Sequence, residues 1–188
     1  MKVTAQAIPD VLLIEPARYG DERGFFSEVW KRAALQAAGL DVDFVQDNHS
    51  LSRQVGVLRG LHFQRPPTAQ AKLIRVVRGR ILDVAVDIRE GSPTYGRHVA
   101  VELSAANWRQ LWVPRGFAHG FMTLEADTEV LYKVDAPYDP ATDSGIAWDD
   151  PALAIAWPVP SDGLILSDKD RRAPRLAEVA PFFPRGTF

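Results

Sequence analysis

The chain has 188 residues, 46% of them apolar and 24% charged, with a formal net charge of -2 at pH 7. That is enough chain for a substantial core in one domain, and the composition is that of an ordinary globular protein rather than a disordered or membrane one. The mildly acidic balance argues against nucleic acid as a partner, and the absence of cysteine excludes disulfides and thiolate metal sites.

No apolar run approaches the roughly 18 residues of a membrane-spanning helix, and the start MKVTAQAIPD carries no apolar signal core, so a cytoplasmic location is expected. Fourteen prolines and thirteen glycines are spread along the chain, as turns between many short strands require. In chain order, strands are expected over residues 11–14, 25–30, 44–52, 57–64, 72–77, 81–88, 98–103, 110–113, 117–124 and 128–134. One early helix is expected over residues 31–38, rich in alanine and stopped by Gly39. Arg78-Gly79-Arg80 reads as a tight hairpin turn. Over residues 81–88, Ile81, Asp83, Ala85 and Asp87 alternate with Leu82, Val84, Val86 and Ile88, so one face is apolar and the other sets two carboxylates toward solvent or a polar cavity. Many short strands with one small helix point to an antiparallel sandwich or barrel.

The candidate chemistry begins in Gly56-Val57-Leu58-Arg59-Gly60-Leu61-His62-Phe63-Gln64, with Lys72 eight residues on. Strict alternation puts His62 on one face with Gly60 and Gln64 and turns Arg59 away, unless a bulge at Gly60 brings Arg59 and His62 to one cavity. Of the other histidines, His98 reads as surface. His49 follows Gln46-Asp47-Asn48, a polar stretch that is either an exposed edge or a set of ligand contacts from Gln46 and Asn48 on one face. His119 stands between apolar neighbours in Pro114-Arg115-Gly116-Phe117-Ala118-His119-Gly120-Phe121.

The stretch from Gly56 to His62 and the later Pro-x-Gly-x-x-His ending at His119 resemble the two motifs of the cupin family. Metal-binding cupins carry His-x-His and a following Glu in the first motif. Here Gln64 replaces the second His and no Glu follows at the right spacing, so the pattern resembles a cupin barrel without its metal. Gln70-Ala71-Lys72-Leu73, Asp83 through Arg89, Gly91 through Gly96, Asp21-Glu22-Arg23-Gly24-Phe25-Phe26 and Ser167-Asp168-Lys169-Asp170 fall in the same order as in the dTDP-4-dehydrorhamnose 3,5-epimerase family, which the chain resembles over nearly its whole length.

The resemblance implies a mainly β fold, a cupin-type antiparallel β-barrel (jelly roll) with short peripheral helices, formed by residues 1–188 as one domain. It implies a homodimer, no metal or organic cofactor, and a dTDP-linked 4-keto-6-deoxyhexose as substrate, inverted at carbons 3 and 5. Such a reaction needs a base on one face, a charge stabiliser at the carbonyl oxygen and an acid on the other face. By resemblance, His62 is the base, held by Asp170 with Asp168 as a nearby competitor. Lys72 is the enolate stabiliser and Tyr132 the proton donor. Binding roles carry over to Arg23, Glu28, Gln46, Asn48, Arg59, Lys72, His119, Asp143 and Lys169, with Asp143 standing where the family more often has Glu. Arg23 and Arg59 suit a diphosphate, and the segment carrying Arg23 and Glu28 is expected to reach the partner subunit's site. The competing readings are a single-carbon epimerase or ketoisomerase, a metal-dependent cupin using His62 and His119 with a carboxylate, and a non-catalytic sugar-nucleotide binder.

Overall fold

The computed structural model describes residues 1–158, 163–179 and 181–184, and its framework is two antiparallel sheets packed face to face. One has six strands in the order β1 (Lys2–Ala5), β2 (Leu12–Glu15), β10 (Gln110–Val113), β7 (Lys72–Arg78), β12 (Thr128–Val134) and β5 (Gln46–Ser52). The other has five, in the order β13 (Asp143–Gly145), β6 (Leu58–Gln64), β11 (Phe117–Thr123), β8 (Arg80–Asp87) and β9 (His98–Ser104). A two-stranded ribbon of β3 (Tyr19–Asp21) and β4 (Gly24–Phe26) stands apart from both. The expected antiparallel β-barrel with short peripheral helices is therefore what forms.

Alternation decides what fills the space between the sheets. Ile74 and Val76 of β7, Val130 of β12, Ile81 and Ala85 of β8, and Phe117 and Phe121 of β11 pack there as one apolar cluster. Phe117 is almost fully enclosed, and truncation to alanine is expected to cost about 3–5 kcal/mol. The two carboxylates of β8 share this inner face and both are completely buried. The opposite face of β8 is not exposed either, because Val84, Val86 and Ile88 lie under Leu153, Leu176 and Phe183 from the C-terminal segment. Asp87 caps its end of the strand, accepting hydrogen bonds from Arg89, Ser92 and Thr94 and so tying down the loop that follows. Asp83 lies deeper and serves the site.

The helix α1 (Arg32–Gln36) is shorter than the expected residues 31–38. It ends through Gly39, whose φ of 86° allows Leu40 N–H to bond back to the Leu35 carbonyl. Its buried face is Leu35, which joins Ile14, Leu73 and Trp112 on the outside of the six-stranded sheet.

Two sequence expectations need correction. Arg78-Gly79-Arg80 does not make a hairpin, since β7 pairs with β10 and β12 while β8 pairs with β11 and β9. The turn is a corner between sheets, and a Cβ on Gly79 would lie 2.2 Å from the Thr128 hydroxyl. The expected strand over residues 25–30 stops at Phe26, after which Ser27 bonds the Ala17 carbonyl and Gln110 bonds the Val29 carbonyl. Side-chain contacts replace ladder pairing there.

Candidate active site

The site is organised by a bulge between β6 and β11. His62 lies opposite His119 and Arg59 opposite Phe121, so Gly60 and Leu61 together face the single residue Gly120. Two residues against one reverse the alternation and bring Arg59 and His62 to the same inward face. The crossing is so close that a Cβ on Gly60 would stand 2.5 Å from the Gly120 Cα, and Gly60 has a φ of 133°. Only glycine serves here. Both side chains line a cavity of about 470 Å³ together with His119, Tyr132, Ser167 and Asp170.

His62 Nε2 lies 2.5 Å from Asp170 Oδ1. The four-residue helix α2 (Asp168–Arg171) buries Asp170 and leaves Asp168 exposed, with the Asp168 carbonyl accepting from Arg172 Nε. The geometry thus pairs His62 with Asp170. Burial by itself would push the Asp170 carboxyl up, but hydrogen bonds from His62, Ser167 and the Gly60 N–H outweigh it and keep the group ionised well below the usual range. A carboxylate accepts only, so neutral His62 carries its proton on Nε2 and keeps Nδ1 as its basic atom.

A second pair lies alongside. His119 Nε2 is 2.7 Å from Asp83 Oδ1 in full burial, and burial holds the imidazole below its ordinary value despite the Asp83 charge. Asp83 Oδ2 has no hydrogen-bond partner among the described residues. Lys72, from the facing sheet, donates to the His62 carbonyl at 3.3 Å. Burial lowers its ammonium to about 8, against the pull of Asp83 and Asp143 and with a further push from Lys169. Tyr132 is half-buried on β12, in register with Ile74 and Asn48. Burial raises its phenol, with Arg59 acting the other way, so at neutral pH it retains its proton.

The remaining expected residues divide into two groups. Gln46 and Asn48 sit on the inward face of β5 and bond each other at 2.8 Å, while Gln46 also accepts from the Tyr138 N–H. Asp143 is bound by Lys169 and by the Tyr138 hydroxyl, and Arg59 reaches Ser52 and the Leu51 carbonyl. Of these, Arg59 alone lines the cavity, and Arg23 and Glu28 lie apart from it on the exposed N-terminal segment. Arg23 pairs with Asp21 on the exposed β3–β4 ribbon with its side chain 85% accessible, and Glu28 pairs with Lys31. His49 faces outward and pairs with Glu129, which favours the exposed-edge reading, and His98 is half-buried at the start of β9. Ser50, Phe121 and Leu166 also line the cavity, and neither Ser50 nor Leu166 carried a signal in the sequence.

Gln64 is spoken for structurally. Its amide donates to the carbonyls of Thr68 and Pro137 and accepts from the Asp139 N–H. Among the described residues, no group of three or more His, Asp or Glu side chains is arranged to hold a metal ion.

A family model described as dTDP-4-dehydrorhamnose 3,5-epimerase matches residues 5–178. The chain belongs to this epimerase family. It is 54% identical over 177 residues to the dTDP-4-dehydrorhamnose 3,5-epimerase of Sinorhizobium fredii, covering 94% of this chain and 90% of that one. Among solved structures it is similar to the family enzyme of Bacillus anthracis with TDP and PPi bound, with 52% identity, coverage of 93% and 98%, and a TM-score of 0.90. It is also similar to the dTDP-6-deoxy-D-glucose-3,5-epimerase of Legionella pneumophila in complex with dTDP-4-keto-L-rhamnose, with 45% identity, coverage of 98% and 97%, and a TM-score of 0.93. The epimerase family has the cupin jelly roll, and the two sheets described above are its two layers. No helix among the described residues is long and apolar enough to cross a membrane.

Proposed function

We propose that the protein converts dTDP-4-dehydro-6-deoxy-D-glucose to dTDP-4-dehydro-L-rhamnose by inverting carbons 3 and 5, with His62 as base and Tyr132 as acid. The observation that carries this reading is that the two groups come from opposite sheets and face one cavity, with Lys72 buried close by. Inversion needs removal of a proton from one face of a carbon and return of another from the opposite face.

His62 Nδ1 takes the proton from a carbon next to the ketone, and the electron pair moves onto the carbonyl oxygen. The imidazolium so formed is balanced by Asp170, which also fixes the ring. Charged Lys72 stabilises the enolate oxygen, a contribution on the order of 3 kcal/mol in a water-poor site. The Tyr132 O–H then gives its proton to the carbon from the other wall, with the Arg59 charge easing the phenolate left behind. Solvent exchange resets both groups before the second carbon reacts. This sequence requires no metal or organic cofactor, because Lys72 supplies the positive charge and the Gln64 amide is committed to backbone.

Arg59 offers a guanidinium for the diphosphate at the cavity, and Gln46, Asn48, His119, Asp143 and Lys169 offer polar contacts for sugar and base. The enzyme acts as a cytoplasmic homodimer in which the β3–β4 ribbon, with Tyr19, Phe25 and Phe26 exposed, carries Arg23 and Glu28 to the partner's cavity. A Phe26→Asp variant that is monomeric yet binds dTDP normally would contradict that arrangement.

The test is turnover of the 4-keto-6-deoxyglucose nucleotide in heavy water. Two deuterons in the product, at carbons 3 and 5, are expected. One deuteron would reassign the enzyme as a single-carbon epimerase, and none would remove the proton-transfer reading.

A further inference from the structure

Helix α2 is too short to be stable by itself, since a few residues cannot offset the cost of nucleation. Beside the contacts of Asp170 with His62 and of Lys169 with Asp143, one hydroxyl holds it from within. Ser167 stands at the N-cap with extended backbone, and its Oγ accepts the Asp170 N–H at 3.2 Å while donating to Asp170 Oδ2 at 2.7 Å. Ser-x-x-Asp is a variant of the capping pattern in which the third helical residue usually has the longer side chain of Glu or Gln. With the shorter Asp, the carboxylate stays close to the cap, and its second oxygen, Oδ1, is left for His62 Nε2. The χ2 torsion of an aspartate is soft, so the donors around the carboxylate set its orientation.

We propose that Ser167 is a positioning residue of the proton transfers, holding Asp170 at both its amide and its carboxylate so that Oδ1 is presented to His62. Ser167 acts through Asp170 and takes no proton from the substrate. The role rests on His62 being the base, and it adds a third member to the His62–Asp170 pair. It also explains why one short helical turn, placed over a hundred residues from His62, is built where it is.

Glycine separates this role from simple helix capping. It serves as an N-cap nearly as well as serine but has no hydroxyl, whereas threonine keeps the hydroxyl, and the exposed position leaves space for its methyl group. In the full-length enzyme, Ser167→Gly is expected to lose about tenfold in kcat with KM within twofold of wild type, and Ser167→Thr to recover most of that loss. In an Asp170→Asn background, Ser167→Gly is expected to cause no further loss, because the two residues act as one unit. Wild-type kcat in Ser167→Gly, equal impairment of Ser167→Thr and Ser167→Gly, or full additivity with Asp170→Asn would each overturn the proposal. His62→Asn is measured in parallel. If it is inactive, those outcomes bear on Ser167 alone, and if it turns over normally the base reading falls and the Ser167 role with it.

Discussion

Two histidine–carboxylate pairs stand side by side on adjacent strands, His62 with Asp170 and His119 with Asp83, and the two imidazoles are register partners. The chemistry of the pairs is identical and their surroundings are not. His62 has a third of its side chain accessible and borrows its carboxylate from a helical turn, where both oxygens of Asp170 have donors. His119 meets the cavity with only a small part of its side chain, and Asp83 comes from the neighbouring strand with one oxygen unpartnered among the described residues. Burial holds His119 neutral, so it acts as a fixed dipole with a defined tautomer. In the proposed mechanism the more open pair takes up and releases the proton, because both oxygens of its carboxylate have donors and more of its imidazole is exposed. Under the proposed mechanism, exposure and hydrogen-bond supply separate the pair that does chemistry from the pair that does not.

The largest expected effect separates the pairs directly. His62→Asn should lower kcat by about 10³–10⁴-fold, the scale of a lost general base, whereas His119→Asn should act mainly through KM in steady-state kinetics.

Lys72→Met is expected to cost about 10²–10³-fold in turnover, comparable to loss of an oxyanion donor. The same change should stabilise the fold. Folding lowers Lys72 from 10.5 to about 8, so below pH 8 its ammonium stays charged in the folded protein at a penalty of roughly 3 kcal/mol relative to the unfolded chain. The unfolded chain binds the extra proton between pH 8 and 10.5, so wild-type stability should rise with pH across that window. Denaturant titration of both proteins at pH 7 and pH 10 checks the sign, and Lys72→Met should be the more stable at pH 7 and lose that advantage by pH 10.

Smaller effects distinguish the two carboxylates. Asp170→Asn should lower kcat by about 10²-fold by releasing the His62 tautomer. Asp83→Asn keeps an acceptor for His119 but removes the foremost of the charges that sustain the Lys72 ammonium. Its signature is an alkaline limb of the kcat/KM profile moved below the position near 8 expected for the wild type, with Asp143, Lys169, His62 and His119 left as the other groups around Lys72.

Most of the barrel was legible in the sequence because its central strands are long, alternating and buried. Among the strands of three or four residues, β2 and β10 were expected, whereas β1, β3 and β13 were not. β1 and β13 carry too little periodicity to stand out, and they exist because Glu15 and Gln64 begin or end strands that offer them a pairing edge. Val84 and its neighbours looked like the only core face of β8, yet Ile81 and Ala85 on the other face fill the space between the sheets and the C-terminal segment covers the Val84 face, a long-range event that alternation does not report. Within the site, the Gly60 bulge was foreseen as an option, and Gly60 and Gly120 are the local signal that fixes it. The choice of Asp170 over Asp168 depended on helical phase in a single turn, which only the fold resolves. Ser167 stood only as the first residue of the Ser167-Asp168-Lys169-Asp170 motif, with nothing in the sequence to mark it as a cap that aims a carboxylate.

The division of labour between the two pairs is tested most directly by solvent exchange of the substrate carbons. The dTDP-linked 4-keto-6-deoxyhexose is incubated in heavy water with His62→Asn and, separately, with His119→Asn at saturating substrate, and deuterium at carbons 3 and 5 is followed by NMR. His62→Asn is expected to abolish exchange at both carbons and His119→Asn to retain it. Exchange that survives in His62→Asn and disappears in His119→Asn would assign the base to the buried pair and contradict the account.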